Sequence, residues 1–163
     1  MSRRVLLVDD DDELREVLQK VLQRKFEVGV ARSGEEALAL VAGNTWHAAL
    51  VDKNLPGMDG LDVIRHLRRR QPGCVSVLMT AMPSVESAVA ALRLSVADYL
   101  LKPSPELDRV GDRIAALIAE REAGSNEQVR ALEQQLQRAQ EQIARMKIEI
   151  ALADEIGRGK PPR

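Results

Sequence analysis

The chain has 163 residues, of which 45% are apolar and 30% charged, a composition typical of a globular protein rather than of a disordered or membrane-spanning one. This length corresponds to one domain of ordinary size and a shorter additional segment. The formal net charge is −1, which provides no basic surface for nucleic acid or for an anionic membrane, so we expect direct binding to neither. The three aromatic residues, Phe26, Trp46 and Tyr99, all precede residue 100, which indicates two different kinds of structure.

The cysteine content and the N-terminal sequence favour a cytoplasmic protein. The single cysteine, Cys74, cannot form an internal disulfide, and its apolar neighbours predict a small buried side chain. The apolar run from Val5 to Val8 is too short for a signal peptide, and no later run approaches the roughly 18 apolar residues of a transmembrane helix.

Short apolar runs alternate with amphipathic segments from Val5 to about Glu120. The apolar runs predict five strands, at residues 5–8, 28–31, 48–51, 75–79 and 99–101. Apolar residues at helical spacing predict five helices after them, around residues 14–22, 37–41, 64–67, 85–92 and 110–118. The last helix is expected to begin with Ser104 as its cap and Pro105 at its first position. Strands alternating with helices predict an α/β fold with a doubly wound parallel sheet.

Polar residues stand at the ends of four of these strands. Asp9 and Asp10 follow the first strand, Asp52 the third, Thr80 the fourth and Lys102 the fifth. Because ligands of doubly wound sheets bind beyond the carboxyl ends of the strands, we expect these groups to lie at one edge. Taken singly, the acidic residues after the first strand could instead cap a helix. Their joint occurrence favours a common site.

Carboxylates, a hydroxyl and an ammonium at one edge fit the chemistry of an aspartyl phosphate. Two or three carboxylates form a hard oxygen site suited to Mg²⁺, which also binds phosphoryl oxygens. Lys102 and the metal would offset the charge of a phosphoryl group on Asp52, and the hydroxyl of Thr80 would donate to one of its oxygens.

Residues 1 to about 120 resemble the receiver domain of bacterial two-component response regulators, which is a CheY-like fold. The resemblance rests on four segments in the proper order and spacing: Leu6–Asp11, Val51–Gly60, Met79–Ala81 and Asp98–Pro103. It implies a five-stranded parallel sheet with strand order 2-1-3-4-5. It also implies a regulator that is not an enzyme, apart from slow loss of its own phosphoryl group.

The same resemblance assigns roles to the residues at the strand ends. Asp52 would accept a phosphoryl group from a phosphohistidine of a sensor histidine kinase or of a phosphotransfer protein. Mg²⁺ would be bound directly by Asp10, by Asp52 and by the main-chain carbonyl of Asn54, while Asp9 would act mainly through a bound water.

Two further residues are implied to transmit the signal, and Lys102 is implied to pair with the phosphoryl group. Thr80 would move toward that group, and Tyr99 would turn inward at the same time, which would alter the surface formed by the fourth helix, the fifth strand and the fifth helix. Alternatively, Tyr99 is a half-buried aromatic residue whose hydroxyl group contacts water.

Three positions depart from the pattern of the family. Ser95 stands where a small turn residue, often glycine, is usual, and a positive φ there would cost about 1 kcal/mol. Ser104 replaces the aromatic residue that often follows the Lys-Pro pair. Met82 replaces a polar residue able to orient an attacking water, so we expect slow self-dephosphorylation.

A phosphatase of the haloacid dehalogenase type would also form an aspartyl phosphate on a parallel sheet. Such enzymes need a second acidic residue two positions after the nucleophile. That position is Asn54 here, which argues against this class.

The C-terminal segment predicts a coiled coil over residues 128–156, separated from the domain of residues 1–122 by a linker at 123–127 and followed by a disordered tail at 157–163. Alternating spacings of 3 and 4 place eight apolar residues at heptad positions a and d: Val129, Leu132, Leu136, Ala139, Ile143, Met146, Ile150 and Ala153. A helix this short needs a partner, so we expect a homodimer through residues 129–153. The β-branched a positions favour a parallel pair, but the flanking charges specify little and leave an antiparallel or heterotypic partner open.

The sequence leaves two outputs open. One is a regulator that acts only through protein contacts, its coiled coil and a downstream protein partner. The other is the front part of a longer regulator, whose effector would be an AAA+ transcription activator, a diguanylate cyclase or a kinase. A scaffold in which phosphorylation has been lost is disfavoured by the intact set of five site residues.

Overall fold

A computed structural model describes residues 2–102 and 105–159 of the chain. The chain divides into two compact units, Met1–Arg121 and Glu122–Arg163. The elements of the chain, in order, are β1 Arg4–Val8, α1 Asp12–Gln23, β2 Glu27–Ala31, α2 Gly34–Gly43, β3 Ala48–Asp52, α3 Gly60–Arg70, β4 Val75–Thr80, α4 Val85–Arg93, β5 Asp98–Leu101, a 3₁₀ turn Leu107–Arg109 and α5 Val110–Arg158.

The five strands form one parallel sheet in the order β2-β1-β3-β4-β5, which confirms the predicted fold. Each predicted strand is present and is longer than predicted by one residue. The extra residues of β3 and β4 are Asp52 and Thr80, so two of the polar residues expected after the strands are the last residues of the strands themselves.

The three inner strands, β1, β3 and β4, are buried on both faces of the sheet because their side chains alternate between two apolar layers. Leu6 and Val8 of β1 pack with residues of α2, α3 and α4, whereas Val5 and Leu7 pack with residues of α1 and α5. Cys74 is buried in the first layer as predicted, and burial raises the pKa of its thiol to about 12.

The turn before β5 contains the positive φ angle that was considered for Ser95 from the sequence. Ser95 has a φ of 54°, in the left-handed region that glycine adopts without a steric penalty. Its amide donates to the carbonyl of Leu92 at 3.0 Å, and the next amide, that of Val96, donates to Ala91 at 3.0 Å. Ser95 therefore adopts the left-handed conformation at a cost of about 1 kcal/mol.

The predicted linker at residues 123–127 is wrong, because α5 runs unbroken from Val110 to Arg158. Gly124, Ser125 and Asn126 are weak helix formers, but each costs only about 1 kcal/mol or less within a helix, and no proline interrupts the segment. The helix also includes residues 157 and 158, which were expected to be disordered, while residues 160–163 lie outside the described part of the chain.

The expected start of the last helix also needs correction. Pro105 lies in a turn and the helix begins at Val110, after the 3₁₀ turn, while Ser104 lies outside the described residues. Among the helices of the described residues, none has the length and apolarity needed to cross a membrane.

Gly60, at the start of α3, lets that helix pass directly over the end of β3. A Cβ at this position would overlap the main-chain oxygen and carbon of Asp52. Because these are backbone atoms, they cannot yield by a change of rotamer.

We therefore expect Gly60→Ala to lower the free energy of unfolding by about 3 kcal/mol, as measured by urea denaturation. The matched control is Gly43→Ala, at the end of α2, where an added Cβ meets nothing within 4 Å. The control should be as stable as the unmodified protein or more stable. Equal stabilities of the two variants would contradict the close approach at Gly60.

Candidate functional site

The carboxyl ends of the strands bring Asp9, Asp52 and Thr80 together at one edge of the sheet. Asp9 follows β1, and hydrogen bonds across the strand ends continue beyond the sheet, since the amide of Asp9 donates to Ala31 at 3.1 Å. Asp9 and Thr80 are fully buried, and Asp52 is 5% exposed. Polar groups at this depth need hydrogen bonds or opposite charges.

Three carboxylates form a compact cluster at this edge. One carboxylate oxygen each from Asp9, Asp10 and Asp52 lies within 4.8 Å of the others, and Asp10 is the exposed member. Hard oxygen donors at this spacing fit Mg²⁺, which prefers one or two carboxylates together with water and phosphoryl oxygens. The exposed side at Asp10 leaves room for those additional ligands.

Lys102 reaches the carboxylates from the end of β5. Its Nζ lies 2.6 Å from Oδ2 of Asp9 and 3.0 Å from Oδ2 of Asp52, and the lysine side chain is largely buried. The amide of Lys102 donates to the carbonyl of Thr80 at 2.8 Å, which fixes the start of its side chain beside β4. One ammonium therefore bridges two of the three carboxylates.

Burial and neighbouring charges both shift the pKa values of Asp52 and Lys102. Burial raises the pKa of Asp52, and the neighbouring Asp9 raises it further, although Lys102 and the amide of Asn54 favour the charged form. Burial by itself would lower the pKa of Lys102, but its hydrogen bonds to Asp9 and Asp52 outweigh that effect, and the pKa of the lysine is raised. Lys102 is therefore a fixed positive charge at neutral pH.

The loop after β3 connects Asp52 to Thr80. The amide of Asn54 donates to Oδ1 of Asp52 at 3.1 Å, and the side-chain amide of Asn54 donates to the hydroxyl of Thr80 at 3.3 Å. The same hydroxyl accepts from the amide of Met82 at 3.1 Å. Thr80 is thus near Asp52 but is bonded to Asn54 and Met82.

Tyr99 is half-buried and does not present its hydroxyl group only to water. Its hydroxyl lies 2.7 Å from the hydroxyl of Ser87, a buried residue in the first turn of α4. Ser87 also completes the cap of that helix with Ser84. The tyrosine that the resemblance assigns to signal transmission is therefore joined by a hydrogen bond to the N-terminus of α4.

Sequence reasoning missed Arg15, which is 7% exposed. Its Nη1 donates to the main-chain carbonyl of Asp9 at 2.9 Å, and its other terminal nitrogen pairs with Asp12. The arginine therefore holds the loop that carries Asp9 and Asp10. Its spacing to Leu18 and Leu22, on the buried face of α1, was the available signal.

The model of the response regulator receiver domain family matches residues 5–115 of this chain. The chain belongs to this family. The response regulator proteins FleR and PilR of Pseudomonas aeruginosa are 34% and 31% identical to it, each over 98% of this chain. The transcriptional regulatory protein TctD of Salmonella typhimurium is 38% identical over 79% of it.

This receiver chain spans only part of the length of those relatives. It covers 35% of FleR, 38% of PilR and 57% of TctD. The family therefore applies to the receiver domain, and the outputs of the longer relatives are not transferred with it.

Solved receiver structures share the fold. A CheY-like receiver domain from Methanospirillum hungatei JF-1 superposes with a TM-score of 0.72 at 26% identity, covering 76% of this chain and 99% of its own. TrrA of Thermotoga maritima, solved in complex with Mg²⁺ and BeF, superposes with a TM-score of 0.63 at 28% identity, covering 71% of this chain and 98% of its own.

The raised pKa of Asp52 has a consequence for stability. Folding favours the protonated carboxyl, so the associated stability is present in acid and is lost as the pH rises through the folded-state pKa. We expect Asp52→Asn to raise the free energy of unfolding by about 1 kcal/mol at neutral pH in the absence of metal. This gain should shrink as the pH falls toward the ordinary carboxyl value of 3.8.

Urea denaturation at several pH values would measure this difference. Asp62→Asn is the matched control, because Asp62 is an exposed carboxylate of α3 that pairs with Arg65. The control should change stability by less than about 0.5 kcal/mol. A destabilised Asp52→Asn variant at neutral pH would contradict the unfavourable burial of this charge.

Proposed function

We propose that this receiver domain is phosphorylated on Asp52 by a histidine kinase or a phosphotransfer protein of a cytoplasmic two-component system. The observation that carries the proposal is the position of the Asp52 carboxylate, 3.0 Å from the ammonium of Lys102 and within 4.8 Å of the carboxylates of Asp9 and Asp10. This arrangement combines a nucleophile, a fixed positive charge and a candidate metal site.

In the proposed reaction, an oxygen of Asp52 forms a bond to phosphorus while the bond between phosphorus and the donor histidine nitrogen breaks. Lys102 would hold a phosphoryl oxygen, since its pKa is raised and it keeps its charge. Mg²⁺ would offset the charge of the transferred group. It would be bound by Asp10, by Asp52 and by the carbonyl of Asn54, with Asp9 acting mainly through a water.

Two described contacts support Thr80 and Tyr99 as the residues that transmit the signal. The hydroxyl of Thr80 is bonded to the side chain of Asn54, two residues after the phosphoacceptor, so a change at Asp52 acts on both. The hydroxyl of Tyr99 is bonded to Ser87 of α4, so movement of the tyrosine acts on that helix. Met82 has an apolar side chain that offers no hydrogen bond to an attacking water, which supports slow self-dephosphorylation.

We expect beryllofluoride with Mg²⁺ to bind the unmodified protein, because the fluoride complex mimics a phosphoryl group on Asp52. Acetyl phosphate with Mg²⁺ should add one phosphoryl group, detected by mass spectrometry of the intact protein. Both effects should be lost in Asp52→Ala.

The control is Asp62→Ala, which removes an exposed carboxylate of α3 and should retain both effects. Circular dichroism of each variant verifies that the protein is folded. If folded Asp52→Ala binds the analogue or accepts phosphate as well as the control does, the assignment of Asp52 is wrong.

The proposed output is protein–protein contact, with a homodimer formed through residues 129–153 of α5 and a downstream protein partner. The support is the exposure of the a and d residues, since Val129, Leu132 and Leu136 are 52%, 64% and 61% exposed along this helix. A single helix with such a face is marginal in water, and pairing would bury it.

A second candidate function is the receiver and connecting helix of a longer regulator. It is favoured by the match to FleR and PilR, which extends through 98% of this chain but covers little more than a third of each relative. Its output would be that of an effector domain absent from this chain.

We expect the protein to sediment as a dimer and the double variant Leu132→Ser/Leu136→Ser to dissociate about a hundredfold or more readily. The matched control is Ile148→Ser/Leu152→Ser, which changes two equally apolar residues of the same helix outside positions a and d. The control should remain a dimer. Equal weakening by both double variants would contradict the assigned heptad positions.

A further inference from the structure

The a and d residues of α5 have unequal sizes, and their order along the helix matters for pairing. Two of the eight are alanines: Ala139 is the last residue of the first half of the series, and Ala153 is the last residue of the second half. The large members of that half, Ile143, Met146 and Ile150, are 52%, 59% and 60% exposed. All eight lie in the second unit of the chain, within the single helix α5.

In a parallel pair in register, each residue faces its own copy. Ala139 would then face Ala139 and Ala153 would face Ala153, which leaves two layers without a large side chain. Missing side-chain volume in a packed layer is destabilising because the lining atoms lose their contacts.

In an antiparallel pair centred on Glu141, every layer combines different residues, and each alanine faces a β-branched side chain. The four distinct layers are Val129 with Ala153, Leu132 with Ile150, Leu136 with Met146 and Ala139 with Ile143, each present twice. Facing small and large residues fill the layers evenly. Shifting the pair by one heptad in either direction leaves fewer layers, so this register is the one that buries all eight residues.

The charges beside the layers favour the same orientation. In the parallel pair, Glu149 faces Asp154 of the second copy, a repulsive contact that occurs twice, and the remaining g-to-e contacts each contain at least one glutamine. In the antiparallel pair, Glu133 faces Lys147 of the second copy, an attractive contact that occurs twice, and Glu149 faces Gln135. The antiparallel pair therefore gains two ion pairs and avoids two repulsions.

We propose that α5 pairs with a second copy of this chain in the antiparallel orientation, centred on Glu141. This inference rests on the proposed homodimer and adds its orientation and register. The second copy is the occupant because the helix complements itself in both layer volume and charge.

Charge reversal tests the ion pairs. Glu133→Lys and Lys147→Glu should each weaken the dimer about tenfold, because two attractions become two repulsions, and the double variant should restore it. Glu149→Lys is the control, because it faces only Gln135 in the antiparallel pair and should leave the dissociation constant unchanged. Tightening by Glu149→Lys without rescue in the double variant indicates the parallel pair and overturns the proposal.

Spin labels measure the orientation directly. Arg130→Cys and Glu141→Cys, each made in a Cys74→Ala background, place labels outside the a and d positions. From a rise of about 1.5 Å per residue, an antiparallel dimer separates the two labels at position 130 by about 33 Å along the helix axis. The two labels at position 141 then lie at the same height along that axis.

Equal separations at positions 130 and 141 would mean a parallel dimer, which overturns the orientation while the proposed homodimer stands. A chain that sediments as a monomer gives no distance between labels, and both the homodimer and the orientation are then wrong. Phosphorylation of Asp52 is tested separately and is affected by neither outcome.

Discussion

The site depends on one ammonium group placed between carboxylates that the fold has removed from water. Lys102 bridges Asp9 and Asp52, and the third carboxylate, that of Asp10, lies within the same 4.8 Å cluster. Three negative charges against one positive charge leave the cluster unbalanced, and burial makes that imbalance unfavourable. The pKa of Asp52 is raised because of this burial and because of the neighbouring negative charge of Asp9. Bound cations relieve the repulsion within such clusters, which is the physical basis for the Mg²⁺ site proposed above.

The sheet edge, rather than any single motif, creates this arrangement, and much of it could be predicted from the sequence. The strands are mostly apolar because both faces of the sheet are covered, and this pattern identified all five. Residues at strand ends are brought together by strand order alone, so Asp9, Asp52 and Lys102 could be expected to meet before any contact was known. What the order of strands cannot provide is how each polar group is paired, because that depends on side-chain rotamers and loop paths.

The features that sequence reasoning missed are of that kind. In the sequence, Arg15 is an ordinary charged residue of α1. In the structure it is buried, because its guanidinium donates to the carbonyl of Asp9. Ser87 is a polar residue in the first turn of α4, and its contact with Tyr99 depends on how β5 and α4 are placed in the fold. The unbroken α5 was missed for a different reason. Weak helix formers at residues 124–126 predict a break when judged locally, but a helix continued from both sides pays no new nucleation penalty there.

The two units obtain their stability in different ways, and this difference bears on regulation. The first unit buries its apolar residues within itself, so its folding does not depend on the concentration of the chain. In the second unit the described residues are exposed along the whole helix, and the proposed pairing with another chain would bury Leu132 and Ile150. The proposed association would follow mass action, while the proposed phosphorylation of Asp52 would follow phosphoryl transfer. With the proposed dimer and the proposed phosphorylation, the chain would respond to two quantities, its own abundance and the activity of its phosphate donor. Within the chain, α5 is the element that contributes residues to both units.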